Sequence, residues 1–202
     1  MLKSPKKMLF QKSCNFANNK SGLAAIEFAL ILPIMLGMFF IALEANIYYS
    51  VNQRVDRAAA MLGDLSSLAI QISPQEINSL FIGVTEVIEP IDLMTLDMVL
   101  VHVIPDPNTG APIVKWSRSN DPQNETPFLP GDPFLKLNDN AVLRENFSII
   151  YGLVTYSHDS GLAGQALGEV FHYEVDEVRT PRRSNRIDLC TLTPNGQYTD
   201  CI

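Results

Sequence analysis

An apolar stretch from Gly22 to Leu43 constrains this chain of 202 residues more than any other feature. The 21 residues after Gly22 contain one charge, Glu27, and one proline, Pro33. A helix of about 20 apolar residues spans the roughly 30 Å hydrocarbon core of a bilayer, where the backbone must satisfy its own hydrogen bonds. We therefore expect residues 23–43 to form a transmembrane helix, kinked at Pro33 because proline removes a backbone donor. The stretch is also longer than the roughly 7–15 apolar residues of a secretory signal peptide.

Charge is distributed very unevenly on the two sides of this stretch. Residues 1–22 carry five lysines and no acid, and no lysine or arginine follows until Arg54. Removing those five lysines from the 15 basic residues leaves ten against 22 acids, so residues 23–202 carry a formal charge of −12. The positive-inside bias places the N-terminus in the cytoplasm and the C-terminal body outside. The acidic body argues against nucleic acid as a partner.

The first residues of the apolar stretch carry a family resemblance. Gly22, four small or apolar residues, and then Glu27 and Phe28 resemble the processing site of type IV pilins and pseudopilins. The run GLAAIEFALILP, with Glu44 at the far end, resembles more narrowly the TadE-like pseudopilins of tight-adherence (Flp-type) pilus systems.

This resemblance implies roles for individual residues. A membrane prepilin peptidase would cut between Gly22 and Leu23 and remove residues 1–22 as a basic leader. Glu27, with Phe28 beside it, would then guide assembly by pairing with the free α-amino group of Leu23 on a neighbouring subunit. In a low-dielectric medium this attraction offsets the cost of burying both charges. The plain alternative is that Glu27 is a carboxylate tolerated near the membrane interface.

The helix is expected to continue outside the membrane over residues 44–73. Apolar residues recur there at alternating spacings of three and four, the period of one helix face; they are Tyr48, Val51, Val55, Ala58, Leu62, Leu65, Ala69 and Ile72. Ser73-Pro74 should end this amphipathic extension. We expect the apolar face to pack on a β-sheet. A long helix packed on a small antiparallel sheet is the pilin-like fold that the resemblance implies.

Residues 74–202 are predicted to form an α+β domain. Ser73 and Pro74 have the residue types of an N-cap and a first helical position, so a short helix should run to about Ile82. Val84–Val87 is ambiguous and could form a short strand. Residues 119–133 are polar and rich in proline, which predicts a long exposed loop.

Four runs in this domain have the composition of β-strands. Residues 97–104 and 112–118 flank a turn cluster and predict a hairpin whose first strand is apolar on both faces. Residues 147–157 and 169–178 predict two more strands, with Phe171, Tyr173 and Val175 facing inward; the Arg179–Ser184 segment follows. This second pair also resembles, more loosely, the C-terminal half of TadE-like proteins.

Cysteines and arginines mark the end of the chain. Cys190 and Cys201 are predicted to form a disulfide, because they would lie in an exported compartment and no nearby histidine completes a zinc pattern. Arginines cluster within residues 179–186, at Arg179, Arg182, Arg183 and Arg186. They could pair with the acidic body or contact acidic partner subunits.

No motif for catalysis, cofactor binding or metal binding is recognisable. The three histidines are scattered, and His158-Asp159-Ser160 cannot form a catalytic relay because adjacent side chains point in different directions. We therefore expect a protein that is not an enzyme and that has no cofactor and no metal site.

Together these observations predict a minor pseudopilin-like protein that helps to initiate, anchor or elongate a Flp-type pilus. It should be a single-pass protein of the bacterial inner membrane with a periplasmic C-terminal domain. Its expected partners are the prepilin peptidase, other pilus subunits and the tight-adherence secretion machinery. The alternative is an uncleaved, membrane-anchored envelope sensor or ligand-binding module.

Overall fold

The computed structural model describes residues 21–89, 95–121, 128–137, 147–159 and 170–202. The chain divides into two compact units, Met1–Asn46 and Ile47–Ile202. Helix α1 (Ser21–Ser67) contributes to both units and continues through Pro33. Most of the predicted leader and Cys14 lie outside the described residues.

The second unit is an α+β domain, as predicted. Helix α2 (Pro74–Ile88) follows α1. The strands are β1 (Gln71–Ile72), β2 (Leu96–Pro105), β3 (Pro112–Ser119), β4 (Ile149–Asp159), β5 (Val170–Arg179), β6 (Asp188–Leu189), β7 (Thr191–Leu192) and β8 (Tyr198–Thr199).

The central sheet has four antiparallel strands in the order β3-β2-β4-β5. The predicted hairpin is confirmed: β2 pairs with β3, and Gly110 in the connecting turn has a φ of 70°, which favours glycine. The later pair is also confirmed as β4 and β5. Residues 160–169, which connect these two strands, lie outside the described residues.

One face of the sheet is covered by the helices. Val55, Ala58 and Leu62 of α1 are completely buried against this face, together with Phe81 and Val84 of α2. On the strands the same core contains Met98, Leu100, Trp116, Ile150, Val154, Tyr156 and Tyr173. The apolar face of the α1 extension therefore packs on the sheet, as predicted.

The opposite face carries a second core, in agreement with a first hairpin strand that is apolar on both faces. Val101, Tyr151 and Phe134 are buried there, and the Phe134 ring lies 5.0 Å from that of Tyr151. The Val114 N–H donates to the Asp132 carbonyl at 2.9 Å, and the Gly131 N–H donates to the Val114 carbonyl at 2.8 Å. The expectation that residues 119–133 form an exposed loop is confirmed for 129–133, which are exposed and belong to no helix or strand. This segment also bonds along β3 and leads Phe134 into the core.

Helix α1 ends at Ser67, five residues before the predicted end at Ile72. The Ser66 hydroxyl donates to the Leu62 carbonyl at 2.7 Å, and the N–H groups of Leu68 and Ala69 turn to the carbonyls three residues back. Serine hydroxyls that bond to backbone compete with the helical ladder. Ile72 still reaches the core, but from β1.

Helix α2 begins where the sequence predicts and ends later. Ser73 caps it in a capping box, with its hydroxyl accepting from the Glu76 N–H at 3.2 Å and its own N–H donating to the Glu76 carboxylate at 2.8 Å. The helix continues past Ile82 to Ile88. The possible strand at Val84–Val87 is therefore wrong, because burial of Val84 and Ile88 in the core outweighs the weak β-propensity of this run.

Candidate assembly surface

The apolar part of α1 presents its side chains outward along its whole length. Every residue from Gly22 to Leu43 is exposed; Leu23 is 60% and Phe28 62% accessible. By its length and composition this helix could cross a membrane. Exposed apolar area of this extent marks a surface that contacts lipid or protein.

The four residues with predicted processing and assembly roles lie together at the start of this helix. Gly22, Leu23, Glu27 and Phe28 are all exposed in the first turns of α1. Among the described residues Glu27 makes no ion pair. Its carboxylate is therefore accessible to a partner outside this chain.

The outer half of α1 is attached to β5 through a cluster of charges. The Asp64 carboxylate accepts from Arg179 Nε at 3.0 Å and from Arg182 Nη2 at 2.8 Å. Arg179 also pairs with Glu177. The hydrogen bond to Asp64, opposed by partial burial and helped by Glu177, raises the pKa of Arg179. Two of the four clustered arginines thus pair within the acidic body.

Sequence reasoning missed the role of Asp64, because 115 residues separate it from Arg179. It also missed a close approach at the neighbouring glycine. A Cβ added to Gly63 would lie 3.1 Å from Arg179 Cγ, so a larger residue there would require the Arg179 side chain to shift by a few tenths of an ångström. Arg183 and Arg186, by contrast, are exposed and make no salt bridge in the described part of the chain.

The C-terminal segment closes over the junction between α1 and α2. The Sγ atoms of Cys190 and Cys201 lie 2.08 Å apart, at the distance of a disulfide bond. The Cys190 N–H donates to the Ile72 carbonyl at 2.9 Å, and β6 pairs with β1. The Trp116 indole donates to the Ile187 carbonyl at 3.0 Å. These contacts fix the last 16 residues to the helix-covered side of the domain.

Tyr198 joins this segment to the cap of α2. Its hydroxyl donates to Glu76 Oε1 at 2.7 Å. Burial opposes ionisation of Glu76, but the hydrogen bonds from Tyr198 and Ser73 together outweigh it and lower the pKa of Glu76. The same bond to Glu76, with some burial, raises the pKa of Tyr198. Both pKa shifts thus reflect the hydrogen bond that joins the C-terminal segment to the cap of α2.

Metal-ligand clusters, histidines and grooves are the features of the described residues that bear on chemistry. Within the described residues no group of three or more His, Cys, Asp or Glu side chains could hold a metal. His158 and Asp159 are the last two residues of β4, and Ser160 lies outside the described residues. A groove of about 380 Å³ lies beside the end of α1 and is lined by Leu65, Leu68, Ala69, Ile72, Glu76 and Leu80.

Comparison with known proteins supports the resemblance stated for the N-terminal region. Residues 22–62 match the family model of TadE-like proteins. The match begins at Gly22, includes Leu23, Glu27, Phe28 and Pro33, and ends in the sheet-bound half of α1. It does not include the C-terminal strand pair, for which the sequence also suggested a likeness. No curated protein and no solved structure matches the chain.

Proposed function

We propose that this protein is a minor pseudopilin-like subunit that assembles into, or at the base of, a tight-adherence (Flp-type) pilus. One observation carries the proposal: the TadE-like match starts at Gly22, where the apolar, fully exposed part of α1 begins. The match continues to Leu62, which is completely buried on the sheet. The matched region therefore includes both an anchor and the attachment of the outer domain.

In this proposal α1 has two tasks. Its apolar part inserts in the inner membrane and later packs laterally against the same helices of other subunits. Its outer part holds an α+β domain in the periplasm, where that domain selects its partners. The lysine-rich N-terminus and the acidic body favour this orientation, with the leader in the cytoplasm.

Processing and pairing would proceed at the start of α1. A prepilin peptidase removes residues 1–22 and frees the α-amino group of Leu23. The Glu27 carboxylate of an adjacent subunit then accepts this ammonium group, and the pair enters the helix bundle with both charges compensated. An unpaired carboxylate costs about 2.5–3.5 kcal/mol at the centre of a membrane helix on insertion scales. The cost is smaller at Glu27, five residues from the start of the apolar stretch, but it has the same sign and favours the paired, assembled state.

The protein is proposed to be non-catalytic, without cofactor or metal. Its buried polar groups support packing: the Trp116 indole and the Ser148 hydroxyl both donate to backbone carbonyls of the C-terminal segment, those of Ile187 and Asn185.

Substitution of Glu27 tests the pairing step. In the source organism, a strain carrying Glu27→Ala should insert and process the protein normally but show severely reduced piliation by electron microscopy. Asp56→Ala is the matched control, because Asp56 is an exposed carboxylate on the same helix outside the apolar part. Normal piliation with Glu27→Ala would contradict the pairing role.

A further inference from the structure

An aromatic surface lies at one end of the outer domain. Its helix residues follow the apolar stretch of α1 closely in the sequence. This surface is formed by the contacting rings of Tyr48 and Phe171, and Ile47 and Tyr49 are the exposed neighbours of Tyr48 on α1; we call these four residues the aromatic end. Tyr49 is 63%, Ile47 49% and Tyr48 46% exposed. The Tyr48 ring lies 5.4 Å from that of Phe171 and 5.1 Å from that of Tyr173. Tyr173, itself buried, supports this surface from β5.

The packing of α1 on β5 fixes which end of the sheet this is. Tyr48 contacts Phe171 and Tyr173 at the start of β5, whereas Asp64 bonds Arg179 at its end. The two elements therefore run in the same direction, and the aromatic end is the end of the sheet where α1 enters the domain. The turn at Asp106–Gly110 lies at the opposite end, because β2 and β4 are antiparallel and pair Leu96 with Tyr156.

Chain length limits how far this surface can lie from a membrane. Tyr48 is the fifth residue after Leu43, the end of the apolar stretch. At the rise of an α-helix five residues span about 7.5 Å. The headgroup layer on each side of the hydrocarbon core is about 5–7 Å thick. Tyrosine is enriched in this layer because its ring is apolar and its hydroxyl is polar.

We propose that the aromatic end rests on the lipid headgroups when α1 spans a membrane, so that the β-sheet, and not only the helix, contacts the bilayer surface. This inference rests on the membrane anchoring in the proposed function. The contact would be apolar rather than electrostatic: no lysine or arginine lies between Gly22 and Arg54, and the body is strongly acidic. A zwitterionic bilayer should therefore be sufficient, and salt should have little effect.

Tryptophan quenching in proteoliposomes tests this contact. The full-length protein is reconstituted in phosphatidylcholine vesicles with and without lipid that carries a nitroxide at the headgroup. Phe171→Trp places a reporter on the sheet, and Ala111→Trp places a matched exposed reporter next to the opposite end. The single native Trp116 is buried, so its signal in the parent protein is subtracted as a baseline.

The expected result is quenching severalfold stronger in the Phe171→Trp variant than in the Ala111→Trp variant, and unchanged at high salt. In one contradictory outcome both variants float with the vesicles, but the reporter on the sheet is quenched no more than the reporter at the opposite end. The protein is then anchored, but the aromatic end does not contact lipid. A neighbouring protein subunit would then be the better partner for the aromatic end. If neither variant floats, anchoring and the inference both fail. Should Phe171→Trp not fold, Tyr48→Trp gives the same comparison from the helix side of the aromatic end.

Discussion

His102 is a polar, ionisable residue that lies in the core of the domain. It is 1% exposed, its ring lies 5.4 Å from Trp116, and within the described structure neither ring nitrogen has a hydrogen-bond partner. Burial, with the nearby charges of Lys115 and Arg186, lowers the pKa of His102 to about 3. The residue is a neutral core side chain and not a catalytic base.

Protonation of His102 should make the folded domain sensitive to acid. A histidine in the unfolded chain titrates near pH 6.5, whereas buried His102 stays neutral to a much lower pH. The unfolded chain therefore binds the proton first. The free energy of unfolding is unaffected by His102 above pH 6.5 and falls as the pH drops towards 3. At pH 4.5 the loss due to His102 should reach roughly 2–3 kcal/mol. Urea unfolding of the detergent-solubilised protein, followed by Trp116 fluorescence at pH 7 and 4.5, measures it.

His102→Leu should remove this part of the acid sensitivity, and His172→Gln should leave it unchanged because His172 is exposed. Equal slopes of stability against pH in the wild type and in His102→Leu would show that the buried histidine is not responsible.

Single residues also show where sequence reasoning stops. The alternation of Phe171, Tyr173 and Val175 predicted their inward side correctly, because the period of a strand is local information. Phe134 could not be assigned in this way. It follows a polar, proline-rich run, and only the folded hydrogen bonds to β3 show that this run leads it into a core.

At the scale of elements, α1 is held on β5 by close packing more than by charge. The Asp64 side chain is 48% exposed, and exposed ion pairs contribute about 0–1 kcal/mol. Gly63 is buried against Arg179 Cγ. Overpacking at such a position typically costs about 1–3 kcal/mol.

Gly63→Val should therefore destabilise the domain clearly more than Asp64→Asn in the same urea assay. Gly83→Val is the matched control: Gly83 also lies in a helix, but a Cβ there meets nothing within 4 Å. It should be neutral or slightly stabilising because valine has the higher helix propensity. A larger loss with Asp64→Asn than with Gly63→Val would mean that the charge cluster is the main attachment.

The disulfide should stabilise the C-terminal segment on the helices. Cys190 and Cys201 close a loop of 11 residues, for which the chain-entropy model gives roughly 2–3 kcal/mol. The double variant Cys190→Ala/Cys201→Ala should lose about this much, and wild type with dithiothreitol should match it. Cys14→Ala, the variant of the remaining cysteine, should have no effect. Unfolding curves that coincide for all four samples would contradict this role.

The limits of sequence reasoning at this scale follow from distance along the chain. The β2–β3 hairpin was predictable because its strands and turn are contiguous. The end of α1 was not, because Ala69 and Ile72 continue the apolar period while serine hydroxyls end the helix. Contacts between distant segments, such as Tyr198 with Glu76, 122 residues apart, have no local signal.

At the scale of the whole molecule, the apolar helix connects the sequence to the function. Its composition alone predicted a segment that could span a membrane, and the TadE-like match begins at the glycine that the processing motif singled out. The match ends at residue 62, so it does not cover the surfaces of the outer domain through which we propose that this domain selects its partners. Arg183 and Arg186, exposed and without salt bridges among the described residues, are the part of the arginine cluster still available to an acidic partner.

Cleavage after Gly22 is the central step of the proposed function. Intact mass and N-terminal sequencing of the membrane-extracted protein, expressed with and without a prepilin peptidase, test it. If the proposed processing occurs, the chain starts at Leu23 only when the peptidase is present. A chain that starts at Met1 in both cases would contradict the pseudopilin assignment and leave a membrane-anchored envelope sensor or ligand-binding module.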